Sequence, residues 1–203
     1  MKSKKSLSEI KTQIQKASNC VIIPHKNPDG DALGSCLALN HFLLNTGLNS
    51  VVISPNEYPI FLEWMPGEND ILNYQLEYDK SNTMIQNADL IFTLDFNDLS
   101  RAGEICEKIK NAKGIKIMID HHENPKNYAN IILSEPKKSS TCEIVFNLIN
   151  YINSNGFNSD IASCLYAGIM TDTGSFRYPS TTSKTHQIIS DLINKGANGS
   201  EIH

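Results

Sequence analysis

The feature that most constrains the fold is an alternation along the chain. Runs that are apolar almost throughout, Val21 to Pro24, Ser50 to Ser54, Leu90 to Leu94, Ile115 to Ile119 and Ile131 to Leu133, are separated by segments with helical spacing. A strand with one face in water alternates apolar and polar residues, whereas a run apolar on both sides has to be covered on both faces. Such strands interleaved with helices imply an α/β fold: a mostly parallel sheet with helices on both faces.

The helical segments punctuate this pattern. Leu7, Ile10, Ile14 and Ala17 open the chain with helical spacing, and Ala32 to Asn45 follows the first strand, with Leu33, Leu37, Phe42 and Leu44 apolar and Gly47 as its stop. Further helices are predicted over Ser100 to Asn111, from Ser140 to about Asn153, over Ser159 to Met170 and over Ser183 to Lys195. The Ser140-Thr141-Cys142-Glu143 string reads as a capping box. Pro55, Pro59, Pro66 and Gly67 break Pro55 to Asn73 into short pieces carrying the single tryptophan, Trp64, so an irregular stretch with a short helix is expected there. At 203 residues, one large domain accommodates all of this.

Charge narrows the function classes. With 22 acids against 18 lysines and arginines and a net charge of −4, the chain is not a strongly basic nucleic-acid binder. Long duplexes are therefore not expected as partners, because affinity for them grows with the number of phosphates neutralised. The five cysteines are odd in number and never form a Cys-x-x-Cys pair, which points to buried, reduced thiols in a cytoplasmic protein rather than to disulfides or a zinc knuckle. Met1 to Asn19 lacks the apolar stretch of a secretory signal, and no run is long enough to span a bilayer, so no membrane association is expected.

The chemistry-bearing residues cluster at predicted strand ends. His25-Lys26-Asn27-Pro28-Asp29-Gly30-Asp31 follows the first strand, Asp95 follows Leu90 to Leu94, and Asp120-His121-His122 follows Ile115 to Ile119. Asp172 lies at the end of a helix in Gly168-Ile169-Met170-Thr171-Asp172-Thr173-Gly174. In open parallel sheets, ligands collect at the carboxyl ends of the strands. One acid there would read as a helix cap, but several crowded acids raise one another's pKa and call for cations. Carboxylates and imidazoles without thiolates suit Mg²⁺ or Mn²⁺; the histidines tilt the choice to Mn²⁺ and leave Co²⁺ and Zn²⁺ open. Six ligating side chains exceed what one ion takes, so two ions sharing Asp95 at about 3.5–4 Å is the economical arrangement. Such a pair hydrolyses phosphoesters, and the helix that follows Asp31 offers free N–H groups to a phosphate.

These strings carry a resemblance. His25-x-Asn27-Pro28-Asp29-Gly30-Asp31, the isolated Asp95, Asp120-His121-His122 and the late Asp172 resemble, in order, the four motifs of the DHH phosphoesterase superfamily. HKNPDGDALGS, DFNDLSRAGE, IDHHENP and GIMTDTGSFRY are most similar to its oligoribonuclease and 3′-phosphoadenosine 5′-phosphate (pAp) phosphatase group, the nanoRNases, over essentially the whole chain. The resemblance implies that His25, Asp29 and Asp95 hold one metal and Asp31, Asp95, His121 and Asp172 the other. It also implies that His122 faces the substrate phosphate and that Asp120 orients a neighbouring imidazole. Arg101 and Arg177 look like substrate-side arginines, with surface ion pairs an equal alternative. The family's smaller C-terminal domain, with its glycine- and histidine-rich motif, has no counterpart here, so 1–203 is expected to be the catalytic domain alone.

Hydrolysis of short oligoribonucleotides or pAp is the leading expectation, with short RNA or nucleotides as partners and a homodimer left open. Pyrophosphate or cyclic-dinucleotide products at the same site, or metal and nucleotide binding without turnover, are the alternatives. His41 and His186 are expected in solvent, Asp98 at a helix N-terminus and Glu143 in the capping box, while the Ser139, Ser140 and Thr141 hydroxyls suit a cap or a phosphate equally.

Overall fold

The computed structural model describes residues 2–203. Its elements run α1 (Lys2–Ile14), β1 (Asn19–Pro24), α2 (Gly30–Asn45), β2 (Asn49–Ser54), β3 (Leu72–Asn73), α3 (Tyr78–Asn87), β4 (Leu90–Leu94), α4 (Cys106–Asn111), β5 (Ile115–Asp120), β6 (Ile131–Ser134), α5 (Thr141–Ile152), α6 (Ser159–Asp172), α7 (Ser183–Asn194) and α8 (Gly199–Ile202). The strands form one six-stranded sheet in the order β3-β2-β1-β4-β5-β6. Every neighbouring pair is parallel, as the uninterrupted apolar runs require.

Side chains alternate between two cores. Ile22, Leu90, Phe92, Leu94, Ile117 and Ile119 point into the larger one, with residues of α1, α2, α5, α6 and α7. Val21, Ile23, Ile53 and Ile91 point the other way, onto Ile85 of α3 and Ile109 of α4. The two-residue period of a strand makes this division, and full burial of both faces supplies the main driving force for the fold.

The chain departs from the sequence expectations in places that have physical causes. A single helix over Ser100 to Asn111 does not form: a 3₁₀ segment, Leu99–Ile105, leads into α4 with a break at Gly103, where φ is 67°. Glycine is favoured there because φ 67° with ψ −138° is a backbone conformation that L side chains rarely adopt. The region after Pro55 holds two 3₁₀ turns, Ile60–Leu62 and Glu68–Asp70, rather than one short helix. Helix α3 is mostly polar and buries only Ser81, Asn82 and Ile85, so it carries no apolar stripe to be read. The capping box of α5 is half present: the Ser140 hydroxyl accepts the Glu143 N–H at 3.2 Å, but the Glu143 carboxylate is buried 3.7 Å from Lys138 Nζ. His41 is not in solvent; its Nε2 is 2.9 Å from the carbonyl of Pro66, whereas His186 is exposed as expected. Asp98 caps the 3₁₀ segment through Ser100 N–H. The cysteines are free thiols, all buried except the half-buried Cys106. Among the described residues no helix is long and apolar enough to cross a membrane.

Candidate metal centre

Strand register positions the centre. Pro24 pairs with Leu94, and Leu94 pairs with Ile119, so the residues that follow, His25, Asp95 and Asp120, emerge side by side at the carboxyl edge. Because β2 lies on one side of β1 and β4 on the other, this edge is the topological switch point of the sheet, where a crevice opens in folds of this kind. Asp95 bends out of β4 at φ 66°, a region that Asp tolerates better than most residues. Its N–H still donates to Ile119 O at 3.0 Å, which ties the bend to β5.

Two helices complete the cluster. Asp29 caps α2 by accepting the N–H groups of Asp31 and Ala32 through Oδ1, each at 3.0 Å, which frees Oδ2 for the centre. Asp31, in the first turn of α2, is 1% exposed and accepts the N–H groups of Thr141 and Cys142 at the start of α5, at 2.6 and 2.9 Å. Asp172 arrives on the last turn of α6, which crosses α2 closely. Gly168 permits that approach, since a Cβ there would meet Cys142 Sγ and the backbone of Asp31.

The side chains form three close groups, His25-Asp29-Asp95, Asp31-His121-Asp172 and Asp95-His121-His122, two of which contain Asp95. His25 Nε2 is 3.5 Å from Asp95 Oδ2 and 4.0 Å from Asp29 Oδ2. His121 Nε2 is 3.5 Å from Asp95 Oδ1, 3.9 Å from Asp31 Oδ2 and 3.4 Å from Asp172 Oδ2. Both rings turn the same nitrogen inward, because each Nδ1–H is directed at a carbonyl: Lys26 O at 2.8 Å for His25 and Lys138 O at 3.3 Å for His121. His25, Asp29 and Asp95, and likewise Asp31, His121 and Asp172, offer atoms all within 4.8 Å of one another, close enough to hold a metal ion. His122 differs. Its Nδ1 is 2.7 Å from Asp120 Oδ1, so its outer nitrogen, Nε2, is the one left free.

The electrostatics describe a site short of positive charge. Burial, reinforced by Asp95 and Asp172, pushes the Asp31 carboxyl well above the usual range. Burial likewise raises Asp172 to about 6, with Asp95 and Asp29 adding to the effect. Burial would raise Asp95 too, but the hydrogen bond from His25 and the nearby His121 and His122 hold it below its ordinary value. The converse holds at His25, where burial opposes charge and the Asp95 bond overcomes it, raising its pKa. Oxygen and imidazole donors, several of them carboxyls that resist ionising alone, suit divalent cations.

His25, Asp29, Asp31, Asp95, His121 and Asp172 thus all lie in the cluster, and Asp120 is hydrogen-bonded to His122. Arg101 is half-buried; its carbonyl accepts Lys26 N–H at 2.8 Å and its charge opposes protonation of His122, which puts it on that ring's side of the site. Arg177 is exposed, with Nε donating to Gly174 O at 2.7 Å on the turn after Asp172. Among the described residues neither arginine forms an ion pair. The sequence expectations did not foresee that Thr141, Cys142 and Lys138 hydrogen-bond Asp31, Asp95 and His121. The only trace was the hydroxyl-rich run before α5.

A parallel α/β sheet with carboxylates and imidazoles gathered at its switch point defines an α/β domain with a candidate metal-binding cleft. Residues 19–169 match the DHH family, N-terminal domain, and the chain belongs to that family. It is 28% identical over 181 residues to the bifunctional oligoribonuclease and PAP phosphatase NrnA of Thermus thermophilus, covering 89% of this chain and 51% of the relative. It is 32% identical over 203 residues to the cyclic-di-AMP phosphodiesterase GdpP of Bacillus subtilis, covering 95% of this chain and 30% of the relative. The crystal structure of an exopolyphosphatase-related protein from Bacteroides fragilis superposes with a TM-score of 0.96 at 40% identity, over 98% of this chain and 59% of that one. The chain therefore spans about half the length of the NrnA relatives it matches.

Proposed function

We propose that the chain is the catalytic domain of a phosphoesterase that uses two divalent ions, Mn²⁺ by preference, to hydrolyse short oligoribonucleotides and pAp. The observation that carries this reading is the division of Asp95, one oxygen toward His25 and the other toward His121. A single carboxylate facing two imidazole-carboxylate groups is the donor arrangement that paired ions share. His25, Asp29 and Asp95 would hold one ion, and Asp31, Asp95, His121 and Asp172 the other. Bound there, the ions supply Lewis acidity toward a phosphoryl oxygen and a more acidic water.

The remaining roles fall to the chain itself. The hydrogen bond to Asp120, outweighing partial burial, raises the pKa of His122. Its Nε2–H can then donate to a phosphate oxygen and pass a proton to the departing oxygen. Arg101, beside this ring, and Arg177, beyond Asp172, offer planar forks to further phosphates. Few cations flank the site, so short substrates are favoured and long duplexes are not. The free thiols accord with a cytoplasmic setting, and a homodimer stays open.

The kinship with GdpP favours a second reading, in which the same centre acts on cyclic-dinucleotide products or pyrophosphate. Assays with Mn²⁺ on pAp, a dinucleotide, a linear di-adenylate, pyrophosphate and a long single strand, side by side, separate these. Turnover of pAp or the dinucleotide is expected, with the long strand a poor substrate. Efficient digestion of the long strand would overturn the proposal, and a preference for pyrophosphate would move it to the second reading. Metal binding without any turnover would leave a nucleotide-binding domain.

A further inference from the structure

A carboxylate shared between two ions has a problem that its neighbours do not. The terminal torsion of Asp is broad, so nothing within the side chain keeps one oxygen on each side. In this structure Asp95 is 2% exposed, and beyond the histidine contacts it accepts one further side-chain hydrogen bond: Thr141 Oγ1 donates to Oδ1 at 2.9 Å. The same residue's N–H donates to Asp31 Oδ2 at 2.6 Å. One residue at the start of α5 therefore touches an acid from β4 and an acid from α2.

That hydroxyl has no other task. The N-cap of α5 is Ser140, whose hydroxyl accepts the Glu143 N–H, so the Thr141 hydroxyl is not needed to cap the start of the helix. Thr141 is fully buried, and as a β-branched residue in a helix it has few rotamers to choose from. A stiff, buried donor aimed at one carboxylate oxygen is what fixing the plane of that carboxylate requires.

We propose that Thr141 is a positioning residue for the metal pair: its hydroxyl orients Asp95 so that Oδ1 serves the His121 side while Oδ2 stays with His25. The inference rests on the two-ion reading given above. Partners that orient ligands in this way change metal affinity by roughly 10- to 100-fold when removed. The loss should be one-sided, because Thr141 bonds the oxygen that faces His121 and not the one that faces His25.

The test is calorimetric titration of the metal-free full chain with Mn²⁺, together with electron paramagnetic resonance of the loaded protein, whose spectrum reports coupling between neighbouring ions. Wild type is expected to take up two ions and give a coupled spectrum. Thr141→Val keeps the shape but not the hydroxyl; it should weaken one ion by about 10-fold or more and lose the coupled signal while the other ion binds as before. Thr141→Ser, which keeps the hydroxyl, should restore both. Should Thr141→Val fail to fold by circular dichroism, Thr141→Ser and Thr141→Ala make the same comparison, since both lack the γ-methyl and differ in the hydroxyl. Wild-type affinities in the variant without the hydroxyl would overturn the proposal, as would equal losses with and without it. Fewer than two ions on the wild type would instead defeat the two-ion reading, and this inference with it.

Discussion

Nδ1 of His122 lies 2.7 Å from Oδ1 of Asp120, whose other oxygen accepts the His122 main-chain N–H at 3.0 Å. The acid is fully buried and the ring is half-exposed, so one member of the pair is held rigidly and the other reaches outward. The Nδ1–H donates to Asp120, and the raised pKa favours the charged ring, the form that also carries a proton on the outer Nε2. Replacing His122 with Ala should lower kcat by about 100-fold or more, in the range of a lost general acid. The more telling variant is Asp120→Asn. It removes the main cause of the raised His122 pKa, so the alkaline limb of the pH–rate profile should move to lower pH. An unmoved limb would show that another group sets it.

Removing ligands should separate the two halves of the centre. Asp95→Asn should disturb both ions, because its oxygens face both imidazoles, whereas His25→Ala should remove mainly the ion on its own side. Elemental analysis after Mn²⁺ loading and desalting measures this directly. About one ion should remain on His25→Ala and fewer on Asp95→Asn. Equal retention by the two variants would contradict a shared carboxylate.

Without metal, the protein should lose stability as pH rises from about 4 to about 7. Asp172 has its pKa raised from 3.8 to about 6 by burial and neighbouring acids, and Asp31 moves the same way. Between the unfolded and folded values the folded chain binds more protons, so raising pH favours unfolding. His25 and His122, also raised, contribute stability that is full below 6.5 and lost as pH climbs through their folded values. Asp95, with a lowered pKa, acts oppositely, but only as pH falls below 3.8. Thermal melts in a chelator should show a falling melting temperature across the window, reversed by Mn²⁺ near neutrality. Asp172→Asn should flatten the slope.

The two acids of the Asp29-Gly30-Asp31 turn should respond differently to the same change. Asp29 is a largely exposed helix cap, and Asn caps equally well, so Asp29→Asn should leave the metal-free melting temperature near that of wild type. Asp31 accepts a main-chain N–H on each oxygen, and an amide would put an NH₂ group against one of them. Asp31→Asn should therefore cost about 1–3 kcal/mol even though it removes charge from a crowded cluster. Denaturant melts of both metal-free variants decide the matter.

What the sequence determined by itself is the layered plan and the list of metal-binding candidates. Runs such as Val21 to Pro24 and Leu90 to Leu94 had to be strands covered on both faces, and acids and histidines at their ends had to meet at one edge of a parallel sheet. Local chemistry also sufficed for the caps at Asp98 and Ser140. Elements whose course depends on their neighbours were not legible: α3 is too polar to show a face, and the break at Gly103 is a positive-φ turn that lies against Lys26. The same holds at the centre. Which oxygen of Asp95 faces which histidine, how closely Asp172 on α6 approaches Asp31 across Gly168, and the hold of Thr141 on both acids depend on contacts between residues far apart in the chain. Sequence periodicity reports the face a residue presents, but only packing decides what that face meets.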